Sequence, residues 1–208
     1  MHRLRLRILP LAAAALAVAF SCTLPSLTVA KEPPHCQHLC PQTLVPGKSI
    51  GPVHLGEPES QVHLGPSESH QPGSFFYRDY SLGVAYRNRK AVAIVLGGDT
   101  NPAFQALAEG GYETHTHPIV GVGRPVTHVP SAYPQAKCQH YILNAPGGTP
   151  DLVTEDCVLD DPHNHSGTFF GGEASKPGPP TEIGVIIVAI ASVVPHLPSC
   201  ASNPVPLC

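Results

Sequence analysis

The sequence predicts an α+β fold: two tandem units of short helix plus antiparallel sheet, bridged by disulfides. Three observations predict it. One pattern occurs twice, as Val53, Leu55, Gly56, Pro58 and Val62 and again as Val120, Val122, Gly123, Pro125 and Val129. Apolar segments rich in β-branched and aromatic residues follow each copy, as expected of a repeated unit of strand end, glycine turn, short helix and antiparallel strands. Seven cysteines stand in a chain that opens with an export-type segment, where bridges form and persist.

Residues 1–30 read as a signal peptide. Arg3, Arg5 and Arg7 form a basic start, Ile8 to Phe20 is an apolar run, and Thr28, Val29 and Ala30 offer small residues for cleavage before Lys31. The run falls well short of the ~20 apolar residues that a spanning helix needs, and Pro10 interrupts it. Lipidation of Cys22 is the alternative, disfavoured by bulky Phe20 just ahead of it. Processing removes three arginines and leaves nine Lys and Arg against fifteen Asp and Glu. Nucleic-acid binding needs clustered cations to displace counterions, and the densest cluster is only Arg87, Arg89 and Lys90. The expected location is therefore secreted or cell envelope, with no nucleic-acid partner and no transmembrane span after processing.

Residues 31–48 are polar and proline-bearing, without period, and predict an irregular leader. The first unit covers residues 49–98. Pro58 suits the first turn of a helix that Gly65 and Pro66 must stop. Phe76 to Tyr80, Leu82 to Tyr86 and Ala91 to Leu96 predict strands, with a hairpin turn from Arg87 to Lys90. A linking helix is expected within residues 99–112, capped by Asn101, opened by Pro102 and ended by Gly110 and Gly111. The second unit covers residues 113–194. Val126, Val129 and Tyr133 would line a helical face that Pro130 distorts or ends. His140 to Leu143 and Leu152 to Leu159 predict a strand pair, and Thr168 to Phe170 a further strand. Ile183 to Val194, apolar without alternation, predicts a central strand shielded on both faces. Residues 195–208 form a proline-rich tail.

Six cysteines remain after processing: Cys36, Cys40, Cys138, Cys157, Cys200 and Cys208. Folding the chain back at Gly147 and Gly148 sets Cys138 and Cys157 almost opposite each other, within reach of a bridge. Cys36 and Cys40 would close a small loop, and Cys200 and Cys208 would tie back the tail. Cys36, His38 and Cys40, or Cys138 with His140, also fit a soft-metal site, but an oxidising compartment favours disulfides.

Histidine is the enriched functional side chain, thirteen in all. His115 and His117 would share one face of an extended segment, as would His163 and His165, with Asp160 and Asp161 just upstream. Imidazole with carboxylate suits zinc or copper, so His163, His165 and Asp161, with His115 and His117, make the candidate metal set. Exposed polar loops are the bland reading of the same residues. Gly47, Lys48 and Ser49 echo the end of a phosphate loop, but Gln42 stands where that loop needs its first glycine. No nucleophile elbow and no zinc-protease helix occur, and an even cysteine count leaves no spare thiol nucleophile.

The segments "IGPVHLGEPESQV" from Ile50, "YRDYSLGVAYRNRKAVAIV" from Tyr77, "PIVGVGRPVTHV" from Pro118 and "AYPQAKC" ending at Cys138 carry a family resemblance. Across roughly residues 50 to 194 the chain resembles exported bacterial proteins with tandem helix-plus-sheet units, similar to the small outer-membrane assembly lipoproteins and the β-lactamase inhibitory protein. The resemblance implies an exported, non-enzymatic binding module for a protein or envelope component, with no catalytic residues to carry over. It also argues against a eukaryotic source, without which the Asn164, His165, Ser166 glycosylation pattern has no meaning. A histidine-based metal-binding protein is the alternative from a different class.

Overall fold

Strand-forming segments dominate, and they pair into two sheets. The computed structural model describes residues 42–97, 108–143, 152–173, 181–196 and 205–206, all within the unit Pro34–Cys208. In the first half, β4 (Glu68–Gln71), β5 (Ser74–Tyr77), β6 (Leu82–Arg87) and β7 (Lys90–Gly97) run as an antiparallel meander. Asn88 and Arg89, at φ 52° and 60°, both take the left-handed conformation that a two-residue hairpin turn requires. In the second half, β9 (Lys137–Leu143), β10 (Leu152–Asp161), β11 (Ser166–Gly172) and β12 (Ile183–Ile190) form a second meander. Strands β7 and β12 pair antiparallel, with Ile186 opposite Leu96 and Val188 opposite Ile94, which merges the two meanders. With β13 (Val205–Pro206) on β9, the result is one nine-stranded sheet.

A four-stranded sheet holds β3 (Val53–His54), β2 (Ser49–Ile50), β1 (Gln42–Val45) and β8 (Tyr112–Glu113), in that order. The main core joins residues of both sheets. Leu44, Ile50, Val53, Val120, Val122 and Val129 pack with Leu82, Val84, Ile94, Leu96, Phe170, Ile186 and Val188 from one face of the large sheet. Strand alternation sends the intervening residues to the opposite face, where Ala93, Val158, Ala189 and Val194 form a second, smaller cluster.

The two glycine turns pin the two central strands. Gly56 N–H donates to the Ala91 carbonyl and Gly123 N–H to the Ile183 carbonyl, each at 2.8 Å. In return Ala91 N–H donates to Glu57 O and Ile183 N–H to Arg124 O, at 2.9 and 2.8 Å. Pro58 then bridges Lys90, and Pro125 bridges Glu182. Both glycines have positive φ, 80° and 75°, which a side chain would strain.

Several expectations are corrected. Separate helix-plus-sheet units do not form, because the described helices are single turns and the sheets are joined. Pro58 precedes a 3₁₀ turn at Glu59–Gln61, and the second helix, α1, is only His128–Ala132. It ends two residues after Pro130, which as the third helical residue sits where the N–H has no intrahelical acceptor. Val129 in the helix and Val126, which precedes it, are both fully buried. Gln42–Val45 leaves the irregular leader to become β1, inside the small sheet, with Leu44 only 2 % exposed. Four residues are too few for a period to be read. The strand at Ile183 ends at Ile190. Val193 and Val194 turn back, and both donate to the Ile190 carbonyl. Most of the linking helix, the signal segment, Cys36, Cys40, Cys200 and Cys208 lie outside the described residues. Among the described residues, no helix is long and apolar enough to cross a membrane.

Candidate functional site

The face of the large sheet opposite the main core is one candidate surface. Val95 on β7, Val185 and Ile187 on β12 and Phe169 on β11 are all partly exposed there. Gly171 lets Val185 and Phe169 lie low across the backbone. A Cβ on Gly171 would stand 2.6 Å from Val185 Cγ1 and 2.9 Å from Phe169 Cε1, so a side chain there would displace them. Val193 and Val194 cover part of the face beside Phe169 and Ile187. Ion pairs border it: Lys137 Nζ on β9 to Asp160 Oδ2 on β10 at 3.2 Å, and Arg78 after β5 to Glu68 on β4. Exposed pairs of this kind add little stability. An apolar centre with a charged rim is instead the composition of a protein-contact surface.

The candidate metal residues are dispersed. His163 and Asp161 line a cleft of about 480 Å³ between the β10–β11 turn and the β1–β2 turn, with Lys48 and Tyr133. His115 and His117 line another, of about 400 Å³, with Gln42 and Ile119. His115 Nε2 lies 3.0 Å from Thr43 Oγ1. His165 is exposed in a left-handed turn position at φ 49°, and its carbonyl accepts from Ala191 N–H. Asp161 accepts from Asn164, at 2.6 Å from the side-chain amide and 3.2 Å from the backbone N–H. The Asn164 side chain holds its carboxyl below the usual carboxylate range, and the Asn164 backbone, Lys48 and His163 act in the same direction. Burial raises the Tyr133 phenol, against hydroxyl contacts from Thr116 and Thr114 that lower it.

The phosphate-loop echo is engaged internally. Gly47 N–H donates to Thr168 Oγ1 at 2.7 Å, and the Ser166 hydroxyl donates to Gly47 O at 2.6 Å. These bonds lock the β1–β2 turn onto the large sheet, and they take the Gly47 backbone N–H that would otherwise face a phosphate.

The cysteines expected to meet do so. Cys138 and Cys157 stand opposite each other in β9 and β10, with Cα atoms 4.0 Å apart, and form a disulfide. Two residues along, His140 opposes Glu155, with Nε2 3.3 Å from Oε1. This pair was legible in principle, since the cysteine register places positions 140 and 155 opposite each other, but its meaning depends on burial. Glu155 is 7 % exposed and Cys157 fully buried, whereas His140 stands at the surface. Among the described residues, Cys138, Glu155 and Cys157 form the one group of three such side chains whose ligand atoms lie within 4.8 Å of one another. Comparison of the chain with protein-family models, curated proteins and solved structures finds no match.

Proposed function

We propose that this chain is an exported, non-enzymatic binding module of the cell envelope or extracellular space, with an internal glycine-turn repeat, engaging a protein partner through the open face of its large sheet. One observation carries the reading: Val95, Val185, Ile187 and Phe169 form an apolar stripe across the central strands, framed by the Lys137–Asp160 and Arg78–Glu68 pairs. The matching bonds of the Gly56 and Gly123 turns support the internal repeat, because they anchor β7 and β12 in the same way. The basic, apolar and small-residue order of residues 1–30 supports export, with Lys31 as the mature N-terminus.

The test places a photo-crosslinking residue at Ile187, at Val95, or at Ile119, an exposed isoleucine beside the His115 cleft. Crosslinks from Ile187 and Val95 to one discrete partner, abolished by Lys at the other of those two positions while the far-ultraviolet spectrum is unchanged, are the expected result. Crosslinks from Ile119 alone would move the binding surface elsewhere. Intact-mass analysis of the exported protein checks the processing; retention of residues 1–30 or a lipid on Cys22 would overturn the export route described. Histidine-based zinc or copper binding is the weaker reading, because His163 lines one cleft and the His115 and His117 pair lines another.

A further inference from the structure

We infer that Cys138, Cys157, Glu155 and His140 are a redox-gated zinc site, closed to metal by the disulfide and opened by its reduction. The four residues are two cross-strand pairs stacked on one face of β9 and β10: Cys138 opposite Cys157 and His140 opposite Glu155. The ligand atoms of Cys138, Glu155 and Cys157 already lie within 4.8 Å of one another, and His140 Nε2 is 3.3 Å from Glu155 Oε1. Two thiolates, one imidazole and one carboxylate are a four-coordinate zinc donor set. With Zn–S near 2.3 Å, tetrahedral geometry sets the two sulfurs ~3.8 Å apart. Rotation about the two Cα–Cβ bonds parts the sulfurs to that distance without moving either strand.

Burial supplies the second argument. A carboxylate 7 % exposed beside a disulfide gains no hydrogen bond from the sulfurs, and an apolar side chain would fill the position at lower desolvation cost. In the oxidised chain His140 Nε2 is the partner of this carboxylate, at 3.3 Å; a cation between the sulfurs and the carboxylate would give it a second. His140, whose side chain is 57 % exposed, stands at the mouth of the group, where metal and reductant enter.

The chemistry balances with a small dithiol as reductant. The dithiol is oxidised to its cyclic disulfide while the Cys138–Cys157 bond takes up two electrons and two protons. Zinc then displaces both thiol protons and binds the two thiolates. In the reverse direction a low-molecular-weight disulfide accepts two electrons, the Cys138–Cys157 bond re-forms, and zinc leaves.

The experiment uses the full chain with Cys22, Cys36, Cys40, Cys200 and Cys208 replaced by serine, so that Cys138 and Cys157 are the only cysteines. After anaerobic reduction, cobalt(II) should bind one ion per chain, with the absorption of tetrahedral cobalt and a sulfur-to-cobalt charge-transfer band. The oxidised chain should bind none, and zinc should displace the cobalt. Glu155→Gln and His140→Ala should each weaken zinc binding on the order of tenfold to hundredfold in a chelator competition. Circular dichroism of the reduced chain, with and without zinc, tests whether the strand pair survives reduction. Absence of the charge-transfer band, unchanged affinity in both variants, or a reduced chain that unfolds and is not restored by zinc would each overturn the site.

Discussion

Ile186 and Ile187 are neighbours in β12 and belong to different surfaces. Ile186 is fully buried in the main core with Phe170 and Leu96, whereas Ile187 is partly exposed on the opposite face with Phe169 and Val193. The comparison shows that an unbroken apolar run does not require equal cover on both sides. One face of the large sheet is sealed by the small sheet and the glycine turns. The other carries comparable side chains under partial cover, as a surface kept for contact does.

The sharpest way to break the comparison is to place a charge on each face in turn. Ile186→Asp puts an unpaired carboxylate into the core at a cost of several kcal/mol, a large part of a domain's total stability of roughly 5–15 kcal/mol. No soluble protein is the expected outcome. Ile187→Asp should cost about 1 kcal/mol, because only part of its apolar area is removed from water, and the variant should remain soluble with its native strand signal. Soluble yield and thermal melts decide between them. Equal losses would mean that the two faces are equally sealed.

The next effect concerns the edge where the core face meets solvent. The Cys138–Cys157 bond links residues 19 apart in sequence, across two strands. Replacing both cysteines by serine should remove about 3 kcal/mol of stability under oxidising conditions, chiefly by freeing the unfolded chain. Urea denaturation of wild type and double variant measures it. A loss of under about 1 kcal/mol would mean that the unfolded chain is already restricted there.

The cysteine register was legible because turn residues and strand length fix it together. The strands Leu82 to Tyr86 and Ala91 to Leu96 and the Arg87 to Lys90 turn were legible too, whereas the strand expected from Phe76 to Tyr80 ends at Tyr77 and Arg78–Tyr80 forms a 3₁₀ turn. The joining of the two meanders was not. Nothing in the residues of β7 and β12 says that these strands pair with each other and not with separate partners. Strands β1 and β4 escaped for a different reason. Gln42–Val45 is too short to show a period, and Glu68–Gln71 is polar throughout and pairs as an edge strand with β5. Of the candidate surface, the residue types were visible in the sequence. The side of the sheet they occupy was not, because the run from Ile183 gives both faces similar side chains.

A smaller effect separates the two glycine turns beneath the core face. Alanine at either position must adopt positive φ, which costs roughly 1–2 kcal/mol. A Cβ on Gly56 meets nothing within 4 Å, whereas one on Gly123 meets Glu109 Cγ at 3.1 Å. Gly123→Ala should therefore lose slightly more than Gly56→Ala, limited by the ease with which the Glu109 side chain moves aside. Thermal melts of the two single variants test the order. Indifference to alanine at both positions would mean that these turns do not hold the central strands.

The smallest effect lies at the rim between the two faces, where Asp161 closes the β10–β11 turn onto Asn164. Its folded pKa is depressed, chiefly by the Asn164 side-chain amide, so protons bind the unfolded chain more readily than the folded one. The resulting stability is fully present above the unfolded value of ~3.9, and it is lost as pH falls through the lower folded value. Asn164→Ala removes the main cause of the shift. The variant should therefore be less stable than wild type near neutral pH, and this part of the deficit should close once both chains are protonated at Asp161. Denaturation curves of the two proteins, measured at neutral pH and again well below ~pH 3.9, give that comparison directly. A deficit of the same size at both pH values would assign the role of Asn164 to turn geometry alone, with the Asp161 charge contributing nothing.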